Sequence, residues 1–114
     1  MALLKKQEEI CLQLGYKKGL QACYGNQALI LRAWGQLEEA LELHNKAEAL
    51  CLESGLKRDL GYCYWNWGLL ARAQGDGKTE REKLEQALAL FTELKMPRQR
   101  DFVQAKLDKL GDGG

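Results

Sequence analysis

At 114 residues the chain has the length of one domain with a modest core. Charged residues make up 29% and the formal net charge is +1, which excludes the strong field of a nucleic-acid or membrane-surface binder. A single proline, one valine, two isoleucines and heavy use of Leu, Ala, Glu, Lys and Gln favour helices over strands.

In chain order, residues 2–14 (ALLKKQEEICLQL) come first, with charges breaking every apolar run, so neither a leader nor a membrane span is expected. Residues 17–33 follow, with Leu20, Tyr24, Ala28 and Leu31 at third- and fourth-residue steps forming one apolar stripe. Gly35 punctuates that helix. Leu37, Leu41, His44, Ala47, Leu50 and Cys51 then mark a second helix over 37–53, stopped by Ser54-Gly55. The next pair is predicted at 57–73 and 78–95, with Gly75-Asp76-Gly77 as the turn between them. Met96-Pro97 opens a last helix over 97–110, where proline suits the first turn. Phe102, Val103, Leu107 and Leu110 give it an apolar side, and its charge-rich remainder suits a solvated cap. Residues 111–114 are expected as a flexible tail.

The order of elements conceals a period. Cys11 and Cys51 lie forty positions apart, as do Cys23 and Cys63, Gly15 and Gly55, Tyr24 and Tyr64, Asn26 and Asn66, Arg32 and Arg72, and Gly35 and Gly75. Ala47 and Ala87, Leu50 and Leu90, and Glu53 and Glu93 extend the same register. A helical period of this length signals a solenoid of stacked antiparallel hairpins. The chain then divides into a half repeat at 2–14, full repeats at 15–54 and 55–95, and a capping helix at 97–110, all within one domain spanning 1–110. Leu3, Lys6, Glu8, Cys11 and Leu12 match Leu43, Lys46, Glu48, Cys51 and Leu52, so 2–14 corresponds to the second helix of a hairpin.

Three motif fragments are excluded as chemistry. The Gly77-Lys78-Thr79 triplet ends like a phosphate-binding loop, but Arg72 stands where the earlier glycine is required and no strand leads in. The four cysteines include no close Cys-x-x-Cys pair, and His44 is the single histidine, so no metal site is expected. The thiols are expected to be small buried groups in a reducing, cytoplasmic setting. Neither a nucleophile–base–orienter set nor a cofactor site can be assembled, so no enzymatic activity is expected. The cluster Glu38, Glu39, Glu42, Glu80 and Glu82 is expected to be a solvated face. Trp34 and Trp67 are expected to pack.

Tyr24, Ala28, Gly35, Ala40 and Ala47 in one repeat, and Tyr64, Gly68, Gly75 and Ala87 in the next, resemble the tetratricopeptide repeat (TPR) pattern. The long period is similar to that of kinesin light chains. Leu31, Ala71 and Glu80 depart from the family's usual residues. The resemblance covers about residues 2–95 and implies an all-α superhelix of antiparallel helix hairpins. It further implies a protein-interaction scaffold whose first (A) helices line a concave groove for a peptide or a partner's helix. The two-carboxylate clamp of chaperone-binding members is absent, because its positions hold Gly25, Leu29, Trp65 and Leu69.

The residues can also be placed without the family. If Leu20, Tyr24, Ala28 and Leu31 face the core, then Asn26, Leu29 and Arg32 face away from it, with Tyr62, Trp65, Asn66, Leu69 and Arg72 on the matching helix. These eight are the candidate peptide-binding residues. Asparagine can bond both backbone groups of an extended peptide, arginine can clasp a carboxylate, and tyrosine and tryptophan supply rigid contact area. Trp65 either anchors a ligand or fills the groove. The rival expectation is self-association of a natural or engineered repeat fragment, with Leu3, Leu4, Ile10 and Leu14 hidden by stacking of copies or exchange of helices. RNA binding by helical repeats would want a basic groove, for which Arg32 and Arg72 are thin support.

Overall fold

A computed structural model describes residues 1–113, with side chains through Leu110, so the tail expected at 111–114 falls outside the residues whose side chains are described, and residue 114 outside the description altogether. The chain is all-α. Its helices are α1 (Ala2–Leu14), α2 (Lys17–Ala33), α3 (Leu37–Ser54), α4 (Lys57–Ala73), α5 (Gly77–Glu93) and α6 (Pro97–Gly113). Each packs antiparallel against its chain neighbour, and α2 also meets α4. The result is a slab of 46 × 32 × 19 Å. No helix among the described residues is long and apolar enough to cross a membrane.

The turns follow from backbone sterics. Gly15, Gly35, Gly55 and Gly75 all have positive φ, between 67° and 80°, a conformation a β-carbon penalises. Position 95, forty beyond Gly55, also needs that conformation, and Lys95 adopts it with φ of 56°. This corrects the expected end of the fifth helix: α5 stops at Glu93, with Leu94 as its cap, because the chain must reverse at Lys95. Its start differs too. Asp76 caps α5, its carboxylate accepting from the Thr79 amide at 3.1 Å and from the Thr79 hydroxyl at 2.6 Å, so Gly77 is already helical. The triplet that mimicked a phosphate loop is the first turn of a capped helix.

The predicted core stripe of α2 is buried: Leu20, Tyr24, Ala28 and Leu31. In α3 the stripe is rotated from the expected one. Ala40, Leu43, His44, Ala47 and Cys51 are buried, whereas Leu37, Leu41 and Leu50 are only half-buried. Ala28 of α2 and Ala40 of α3 are both fully enclosed in the core, and the three leucines pack only against its margin. Two further expectations are overturned. Glu80 is buried rather than solvated, since it occupies the interhelical position of Ala40, while Glu38, Glu39, Glu42 and Glu82 are exposed. Trp34 does not pack: it is 60% exposed at the α2–α3 turn, past the end of the apolar stripe. Trp67 is core.

The repeats share a backbone but exchange volumes. Gln21 and Cys51 meet in the first, with the Cys51 thiol donating to Gln21 Oε1 at 3.7 Å. At the matching positions of the second stand Gly61 and Phe91, and a β-carbon on Gly61 would lie 2.8 Å from Phe91 Cε1. In the second repeat Gly68 faces Leu84, where a β-carbon on Gly68 would lie 3.1 Å from Leu84 Cδ2, and the matching positions of the first hold Ala28 and His44. A larger residue on one helix is matched by a smaller one opposite. Lys17–Glu53 (2.5 Å) and Lys57–Glu93 (2.7 Å) repeat one ion pair across each hairpin, though solvent screening makes such exposed pairs weak.

The two end helices differ. Val103 and Leu107 seat α6 in the core, while Arg100, Gln104 and Asp108 face solvent. By contrast α1 buries no residue fully. It docks partly through polar contacts, with Gln27 Nε2 donating to Glu8 Oε1 at 2.9 Å and the Cys23 thiol to Gln7 Oε1 at 3.8 Å. Leu3, Ile10 and Leu14 are exposed by 79%, 47% and 74%, and Leu4 is half-buried.

Candidate functional site

The faces of α2 and α4 opposite the core stripe lie side by side. Asn26 reaches this surface from the middle of α2, and Asn66 from the middle of α4. Both line one pocket of about 140 Å³ between α2, α3 and α4, together with Leu29 and Tyr62. Asn26 also borders a second hollow, of about 320 Å³, between α1 and α2. It therefore stands on the ridge between the two.

The other candidate residues disperse around this centre. Arg32 is half-buried and close enough for its charge to act on His44. Leu69 is half-buried and Arg72 exposed, and neither lines the shared pocket. Trp65 belongs to a different neighbourhood. It stacks on Tyr62 (6.1 Å between centroids) and meets Phe91 edge-on (6.1 Å) and Phe102 of α6 (5.1 Å). It thus joins α4 to α6 in an aromatic wall beside the pocket, with Tyr62 as the link. The Tyr62 hydroxyl accepts from Gln99 Nε2 at 3.0 Å, which fixes that ring to α6 as well.

Seven lining residues fell outside the eight sequence candidates, among them Asp59, His44 and Gln21. Asp59 sits seven positions before Asn66, two turns earlier on the same helix face, so the signal was present in the spacing. His44 comes from α3, and Gln21 from the buried side of α2. Nothing local marks these two, because their position depends on how α3 crosses α2. His44 is 2% exposed, stacked on Trp67, and its Nδ1 has no hydrogen-bond partner. Burial, helped by the Arg32 charge, lowers its pKa to about 4, so the imidazole is neutral at pH 7.

The thiols nearby are held protonated. Burial raises the Cys63 pKa to about 12 and that of Cys51 to about 11, and all four cysteines are free. Among the described residues no three of His, Cys, Asp and Glu converge as metal ligands. The site offers hydrogen-bonding amides, a neutral imidazole, one carboxylate and aromatic edges. No protein-family model, curated protein or solved structure matches the chain.

Proposed function

We propose that this chain is a non-enzymatic, TPR-like scaffold that binds an extended peptide or a partner's helix across the surface formed by α2 and α4. The observation that carries this reading is the convergence of Asn26 and Asn66, one period apart, on a single pocket. An asparagine in mid-helix gains little for folding, whereas two amides at one pocket can each bond a peptide carbonyl and N–H. The thiols beside the site are held protonated and are poor nucleophiles, which supports a binding role.

The experiment selects binders from a displayed random heptapeptide library and measures their affinity for wild type and for Asn26→Ala with Asn66→Ala. The double variant is expected to bind at least about tenfold more weakly, the loss of one or two hydrogen bonds, with melting nearly unchanged. Equal affinity in both proteins removes the asparagines from the site.

A second reading, self-association, is favoured by the exposed Leu3, Ile10 and Leu14 of α1. Head-to-tail stacking is opposed by the polar outer face of α6, so pairing of two α1 faces is the form expected. Light scattering over a concentration series should then show a dimer that Ile10→Glu with Leu14→Glu returns to monomer. A monomer at every concentration in the unaltered protein ends this reading.

A further inference from the structure

The pocket between Asn26 and Asn66 holds more chemistry than a clamp on a peptide backbone requires. His44 forms part of its wall, nearly fully buried and with Nδ1 one hydrogen bond short. Nδ1 itself is closed to solvent, so a ligand in the hollow meets other atoms of the His44 ring, and every polar group of the lining must keep its water or exchange it for a ligand bond. Asp59 is the one charged side chain in the lining. It lies half-buried in the first turn of α4 and makes no ion pair among the described residues.

Charge and size together select the occupant. A carboxylate ligand would meet Asp59 directly, and an apolar one would strip water from Asp59 and His44 without replacing it. A cationic donor pairs with Asp59, and a neutral imidazole does not repel it. The nearby Arg32 charge, which helps hold His44 neutral, places the cation at the Asp59 end. The volume of about 140 Å³ is well below the roughly 300 Å³ at which small-molecule sites begin, so the hollow suits one side-chain head group. Lysine, a compact point charge with three donors on a thin stem, fits better than the broad fork of arginine.

We propose that this pocket is a subsite for a lysine side chain of the bound peptide, its ammonium donating to the Asp59 carboxylate in the same pocket that the His44 ring lines. The inference rests on the groove reading given above. The sole histidine of the chain makes the test direct, since its ring signals in a nitrogen-15 NMR spectrum belong to one site. The probes are the acetylated, amidated pentapeptide Ala-Ala-Lys-Ala-Ala and its analogue with norleucine at the centre. The His44 signals should move saturably with the lysine peptide and stay in place with norleucine. Asp59→Asn should weaken the lysine response at least about fivefold through loss of the charge-assisted hydrogen bond, with melting unchanged. Equal responses to both peptides, or none to lysine, overturn the proposal, and the norleucine comparison needs no variant to fold. If library-selected peptides depend on Asn26 and Asn66 while the lysine peptide leaves His44 unmoved, the groove stands and the lysine subsite falls. A lysine response that survives Asn26→Ala with Asn66→Ala keeps the subsite and removes the backbone clamp.

Discussion

Phe91→Ala should destabilise the protein by about 3–5 kcal/mol, the usual cost of emptying a buried aromatic site. Phe91 is fully enclosed, with Tyr62 edge-on at 5.3 Å and Trp65 edge-on at 6.1 Å. Its ring rests against Gly61, where no side chain can move in to fill the space it leaves. Domains of this size are stable by roughly 5–15 kcal/mol, so the loss is a large part of the total. The exchange of volumes between repeats makes the test sharper. The first repeat fills the matching space with Gln21 and Cys51, so Gly61→Gln with Phe91→Cys should be less destabilising than Phe91→Cys alone. Urea titrations of the variants measure both effects. A cost below about 1.5 kcal/mol for Phe91→Ala would show that the aromatic wall joining α4, α5 and α6 relaxes into the cavity.

Acid should weaken the fold through His44 by about 3 kcal/mol between pH 7 and pH 4. The folded pKa of about 4 lies below the ordinary value of 6.5, so below pH 6.5 the unfolded chain takes up a proton that the folded chain refuses. Stability is therefore full above pH 6.5, falls as pH drops toward about 4, and levels off once both states are protonated. A difference of two to three pH units corresponds to roughly 3 kcal/mol. The groups around the ring are Arg32 from α2, Asp59 and the protonated Cys63 from α4, and Lys83 of α5, whose Nζ lies 3.8 Å over the ring of Trp67, on which His44 stacks. Carboxylates elsewhere also titrate toward the lower end of this range, so the comparison is with His44→Leu, the residue that the second repeat carries at the matching position. That variant should lose the part of the pH dependence that lies between 6.5 and 4. A directly measured His44 pKa of 6 or higher, from NMR titration of the folded protein, would remove the effect.

Both results bear on the site. His44 narrows the pocket floor at a standing cost in acid, and Phe91 holds the wall carrying Tyr62. The candidate site is thus built on two places where the repeats depart from one another. Where they agree, at Ala47 and Ala87 or Tyr24 and Tyr64, the residues serve the shared core.

The sequence by itself determined the elements. The forty-residue register located six helices, with bounds of the first four within one residue, because helix punctuation is local: an apolar stripe, then a residue able to take positive φ. The outward placement of Asn26, Asn66 and Arg72 followed from helical periodicity alone. Tertiary structure decided which outward residues meet. It gathered Asn26, Asn66, Leu29 and Tyr62 at one pocket, sent Trp65 to α6, and brought His44 and Asp59 into the lining. It also buried Glu80 and exposed Trp34. Those outcomes depend on the volumes of paired residues on different helices, such as Gly61 with Phe91 or Gly68 with Leu84. Periodicity fixes the face a side chain takes on its own helix. How closely the neighbouring helix approaches depends on the residue opposite, and no spacing along the chain records that.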